Sequence, residues 1–133
     1  MPGTDNGAIF IASYITGNGG VPFDNTNAVI GVGDDGTAFV KTQTQLQAEA
    51  APVTDFLKKG MVAGYPVVDP LEDGSTNKVR FAAAFGTSEA NFIWNEYSIE
   101  NGAGVMLTRK AVNIGTKTSA AQWVLEVDLT FSV

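Results

Sequence analysis

Neither cysteine nor histidine occurs in the 133 residues. The first absence removes disulfides, so stability has to come from packing or association. The two absences together remove zinc sites of thiolates and imidazoles, triads built on a histidine, and imidazole general bases. Catalysis would fall to carboxylates, Lys, Tyr or Ser/Thr. The expectation is a chain with no metal, no cofactor and no enzymatic activity. Cations are also scarce, with 8 Lys and Arg against 14 Asp and Glu and a net charge of −6. The adjacent basic pairs are Lys58-Lys59 and Arg109-Lys110. Nucleic-acid affinity comes mainly from cations neutralising phosphates, so a nucleic-acid partner is not expected. No stretch approaches the roughly 20 apolar residues of a membrane helix, so no membrane partner is expected either. The apolar run Ala8–Ile15 lacks a basic start and contains Ser13, which fits a secretory signal poorly. Heptads and internal repeats are missing as well.

Apolar residues make up 44% of the chain, enough for a core, and the length suits one domain spanning 1–133. Residues 1–7 are turn formers and read as a flexible N-terminal arm. Ala8–Ile15 reads as a strand rich in Ile and aromatics. A Gly/Asn-rich break over 17–27 follows, then a short apolar strand, Ala28–Val32. Gly33-Asp34-Asp35-Gly36 reads as a tight turn. Thr42–Ala51 is the best helix candidate, with Thr44 as cap and Gln47 completing a capping box. Val53–Val68 should hold one or two short strands, and Asp69–Asn77 a loop.

The second half is more regular. Val79, Phe81, Ala83 and Phe85 form the apolar side of one strand. Gly86–Ala90 is a turn capped by Thr87 or Ser88. Phe92–Ile99 and Val105–Ile114 form a hairpin closed by Asn101-Gly102-Ala103-Gly104. After a turn at Gly115–Ser119, Gln122–Val133 alternates Trp123, Leu125, Val127, Leu129, Phe131 and Val133 with polar residues. Strands at this spacing predict a mostly antiparallel all-β domain, a β-sandwich or barrel-like body with at most one or two short helices.

Few motifs carry chemistry. Asp34-Asp35 lacks the alternating ligands of a calcium loop and reads as a turn. Gly31-x-Gly33-x-x-Gly36 has dinucleotide-fingerprint spacing, but Thr37–Lys41 favours a strand where a long helix should begin, so the match is discarded. Glu96 stands on the Phe92/Trp94 side of an apolar strand. A glycosidase would need a second carboxylate facing it, and Glu126 and Asp128 fall on a polar side. A four-residue loop at 101–104 instead sets Glu96 opposite Arg109, which predicts a structural ion pair. Phe81, Phe85, Trp94, Trp123 and Phe131 are the expected core aromatics. Sugar stacking is the alternative for the tryptophans. Tyr65, beside Pro66, is a candidate contact residue.

Two stretches, Asn27–Leu46 and Asn77–Val133, carry a resemblance. Their pieces include Ile30-Gly31-Val32-Gly33-Asp34, Thr44-Gln45-Leu46, Phe85-Gly86-Thr87-Ser88, Ala90-Asn91-Phe92 and Trp94-Asn95-Glu96. Met106-Leu107-Thr108-Arg109-Lys110, Gly115-Thr116-Lys117 and Trp123 follow. In order and spacing they resemble small tailed-bacteriophage virion proteins of the tail-fibre-like or capsid decoration type. The resemblance implies a virion component with an all-β domain, and it transfers no catalytic residues. The expected role is an accessory decoration (cement) protein on the outer capsid surface. It would bind the major capsid protein and self-associate as a homo-oligomer, with residues 1–7 and 17–27 as reaching arms. The alternatives are a tail, collar or fibre subunit acting in attachment or receptor binding and, remotely, a virion-associated glycosidase.

Overall fold

The computed structural model describes residues 3–51, 54–74 and 77–131. In chain order these form α1 (Asp5–Ile15), β1 (Val29–Gly33), α2 (Gln47–Ala50), β2 (Phe56–Gly60) and β3 (Val67–Val68). They continue with β4 (Lys78–Phe85), β5 (Ile93–Glu100), β6 (Met106–Thr116) and β7 (Trp123–Thr130). All pairings between strands are antiparallel. One sheet has the order β2-β1-β5-β6 and the other β3-β4-β7, and no barrel closes. The described residues are therefore mostly antiparallel β, with two short helices.

Period-2 alternation explains why the sheets meet. Ile30 and Val32 of β1 and Ile99 of β5 point to the same cluster as Phe81, Ala83 and Phe85 of β4 and Val127 and Leu129 of β7. Phe85, Trp94 and Trp123 stack edge to face through this cluster, with ring centroids 4.9 and 5.1 Å apart. Phe81, Phe85 and Trp94 are buried, and Trp123 is partly buried against them. Phe131 is different. The ladder ends at Thr130, and Phe131 is 46% exposed rather than in the core. Val133 lies outside the described residues.

The main correction is at the N-terminal end. Ala8–Ile15 is helical, not a strand. Its Ile and aromatic content suggests a strand, but a tertiary contact decides the outcome. Thr4 caps the helix by accepting the Gly7 N–H, and its hydroxyl donates to Met106 O. Gly7 lets the helix lie directly on the β6 backbone, since a Cβ there would stand 2.6 Å from Leu107 O. Phe10 and Tyr14, one turn apart, stack on each other, and Phe10 meets Phe23 edge-on. Residues 3–7 are consequently no arm, because Gly3 bridges Thr108 and Thr4 is buried; Met1 and Pro2 lie outside the described residues. Nor is 17–27 a free arm throughout. Val21 O accepts from Asn101, Phe23 packs on the core, and Asn25 donates to Val62 O and Tyr65 O.

Smaller differences have local causes. Gly33 ends β1, and Asp34 continues toward Asp55 instead of turning tightly. Thr37–Lys41 is not a strand. The Gly86 turn is closed by the Glu89 side chain, which accepts the Gly86 N–H, in place of Thr87 or Ser88. Among the described residues, no helix is long and apolar enough to cross a membrane.

An exposed helical glycine gains about 1 kcal/mol on replacement by alanine. At Gly7 we expect the opposite sign, because the added methyl meets backbone and overpacking costs about 1–3 kcal/mol. Gly7→Ala should lower the urea midpoint at unchanged m-value, and a raised midpoint would show that α1 is not seated on Leu107.

Candidate functional site

The charged residues of β5 do not sit on the core side of their sheet. Two register irregularities, between Trp94 and Glu96 and between Ile99 and Glu100, interrupt the β5–β6 ladder. The first sends Trp94 into the hydrophobic cluster and Glu96 to the opposite face. On that face stand Glu96, Ser98 and Glu100 of β5, Arg109 of β6 and Lys58 of β2, covered by Leu46 and α2. The result is a polar layer between the sheet and the 35–50 segment.

Glu96 is the centre of the layer. Its Oε1 accepts Arg109 Nε at 2.7 Å and the Gln47 N–H at 2.8 Å, and its Oε2 accepts the Ala48 N–H at 2.7 Å. Both Glu96 and Arg109 are completely buried. The remaining guanidinium nitrogens donate to Gln43 Oε1 at 3.2 Å and to Asp35 O at 3.3 Å. The Asp35 carboxyl is itself held below its ordinary value, first by the Thr37 hydroxyl and amide, with a smaller pull from Arg109. Beside this group Glu100 accepts Ser98 Oγ at 2.7 Å and Lys58 Nζ at 3.0 Å. Lys58 Nζ also lies 2.8 Å from Glu49 Oε2. Burial pulls the Lys58 ammonium down, and the two carboxylates together more than reverse it, so its pKa is raised.

The predicted partners are joined, although not in the predicted register. The loop includes Val105: Asn101 N–H donates to Val105 O, and Asn101 Oδ1 accepts the Ala103 and Val105 amides. With the further shift at the Ile99/Glu100 irregularity, Arg109 stands opposite Ser98, and Glu96 opposite Ala111. A slip of two residues keeps both side chains on one face, so Arg109 reaches Glu96 diagonally.

Three features, two of them in the layer, escape the sequence patterns. Glu96 caps α2, whose N-cap residue is Leu46 with no side-chain cap bond, in place of the expected Thr44–Gln47 box. A buried acid supplied from 48 and 49 residues away leaves no local signature. Gly31 and Gly33 are strand residues, neither phosphate cradle nor turn. A Cβ at Gly33 would stand 2.5 Å from Glu96 Oε2, and one at Gly31 would stand 2.7 Å from Ser98 Oγ. Their spacing by two is the sheet period, and it opens room for the acids. Lys117 is buried away from this layer, donating to Gly86 O at 2.6 Å and Asn91 Oδ1 at 2.8 Å, so that it pins the β4–β5 turn to the end of β6.

Two further features lie on the surface. On the outer face of β4 and β7, Arg80 Nε and an outer guanidinium nitrogen donate to the two Asp128 oxygens at 2.7 and 3.0 Å, and Glu126 stands 3.4 Å away. An apolar groove of about 350 Å3 lies between α1 and the β4–β7 sheet, lined by Phe10, Tyr14, Phe23, Val68, Phe81 and Phe131. Tyr65 is half-buried beside it and holds Asn25 through its carbonyl. No cluster of three or more metal-ligating side chains occurs among the described residues.

Comparison with family models, with curated proteins and with solved structures returned no match.

Loss of one member of a buried ion pair costs about 3–5 kcal/mol. Glu96→Gln and Arg109→Met should each lower unfolding stability by that order in urea titrations. The double variant Glu96→Leu/Arg109→Met should stay below wild type, because the Gln47 and Ala48 amides lose their acceptor at about 1–3 kcal/mol each. Full recovery in the double variant would rule out the capping role.

Acid sensitivity has a separate source. Arg80 holds the Asp128 carboxyl below its ordinary 3.8. A lowered folded value contributes stability above the unfolded one, and that stability is lost as the pH falls through the folded value. Arg80→Met should therefore flatten the fall in stability below about pH 4. An unchanged acid limb would show that the contact is not coupled to folding.

Proposed function

We propose that this protein is an accessory capsid decoration protein of a tailed bacteriophage, bound to the outside of the shell and stabilising it. The observation that carries the reading is the closure of Glu96. The acid on which a catalytic reading depends has no solvent exposure and is held by three hydrogen bonds. A glycosidase acid must reach the glycosidic oxygen, with a second carboxylate about 5–10 Å away across a cleft. Here the buried charges hold a covering segment to a sheet, and the surfaces are left to act by contact.

Further support comes from charge and surface. A net charge of −6 suits a protein outside a DNA container. The resemblance in motif order to small virion proteins, drawn from the sequence alone, is consistent with this reading. With residues 3–7 fixed against β6, docking falls to the body of the domain, such as the apolar groove beside α1, rather than to arms.

Quantitative gels of purified particles test the proposal. A decoration protein should be present on the order of hundreds of copies per particle, because each symmetric shell position offers a site. Particles lacking it should assemble and lose heat resistance. A tail, collar or fibre subunit would be present in far fewer copies, and absence from particles would overturn any virion role.

A further inference from the structure

The free edge of β7 is a long, regular and unoccupied strand edge. β7 pairs with β4 over eight consecutive residues without a bulge. Beyond the ladder, Phe131 N–H donates to Asn77 O. The alternation of an antiparallel ladder then turns the N–H and C=O groups of Val124, Glu126, Asp128 and Thr130 away from β4. Among the described residues none of these backbone groups bonds to another element. All four residues are exposed, Val124 at 54%. Such edges are templates for strand addition, and proteins protect them with bulges, proline, charge or cover. Charge is the device present here.

The charge pattern also selects the occupant. The outward row of β4 begins Lys78 and Arg80, and the row facing it on β7 is Thr130, Asp128 and Glu126. Arg80 faces Asp128 directly and is bonded to it, with Glu126 diagonally 3.4 Å away, while Lys78 faces Thr130. The next strand therefore meets a row of Val124, Glu126, Asp128 and Thr130 that carries two acids and no cation of its own. A second copy added about a two-fold axis keeps outward face with outward face. Each central register of that pairing sets at least one acid against an acid, 126 on 126, 126 on 128 or 128 on 128, which is unfavourable. We propose that the β7 edge is a docking site for an extended segment of a partner protein, with Lys or Arg alternating along its outward face and apolar residues inward. Main-chain hydrogen bonds supply the affinity, and the paired charges set register and exclude self-pairing. This site stands independently of the virion reading.

Alternating octapeptides test it: acetylated, amidated Lys-Val repeats, with Glu-Val repeats as the control, added to the full-length protein. At saturating Lys-Val peptide, amide exchange at Val124, Glu126, Asp128 and Thr130 should slow by about tenfold or more. The amides at 125, 127 and 129, already paired with β4, should change little. Glu126→Lys exchanges one cross-strand attraction for a repulsion and should weaken the Lys-Val peptide by about tenfold while improving the Glu-Val peptide. Circular dichroism of the variant confirms that the sheets persist. Slow exchange at the four amides in the free monomer would overturn the proposal. So would protection elsewhere, equal binding of both peptides, or a sedimenting dimer that protects the same four amides.

Discussion

The Glu96 carboxylate, taken out of water between Arg109 and the first amides of α2, constrains most of what surrounds it. A buried charge is tolerated only when its lone pairs are filled, and here a cation and two backbone donors fill them. The acid needs space, which Gly31 and Gly33 leave. The guanidinium needs acceptors, which Gln43 and the Asp35 carbonyl provide from the covering segment. The 35–50 segment is thus attached by these polar bonds together with Leu46 and Ala48, which are fully buried against Gly31 and Gly33. The other side of the same sheet is attached by hydrophobic burial. One sheet accordingly separates a mixed polar and apolar attachment from a hydrophobic one.

Legibility in the sequence follows from how local each cause is. β4 and β7 were readable because period-2 alternation over six or more residues has few other interpretations. The ion pair was readable because a charge in an apolar strand demands a partner, and the hairpin brings Arg109 near. Its register was not, since Val105 joins the loop and the ladder is irregular at Ile99/Glu100. The same limit hid the separation of Trp94 from Glu96, which two residues of spacing would place on one face. Ala8–Ile15 misled because its composition favours a strand, while the deciding contacts, Thr4 with Met106 and Gly7 with Leu107, span about a hundred residues. Phe131 continues the alternation on paper, but the sheet stops one residue earlier.

The functional reading draws on the same distribution of groups. Charges inside the molecule are matched and enclosed, so they hold structure. Apolar and backbone groups on the outside are in part unmatched, at the groove beside α1 and along β7. The buried charges Glu96, Arg109 and Glu100 thus hold structure, while the groove and the β7 edge leave groups at the surface without partners among the described residues.

The close approach of Gly33 to Glu96 also bears on how this chain can drift under mutation. A side chain at position 33 is admissible only after the acid at 96 has retreated, and that retreat strands Arg109 and uncaps α2. Each single step is harmful, and a combined change is tolerated only if the Gln47 and Ala48 amides gain another acceptor and Ala48 also gives way. These positions therefore form an epistatic knot, in which variation arrives as a set or not at all.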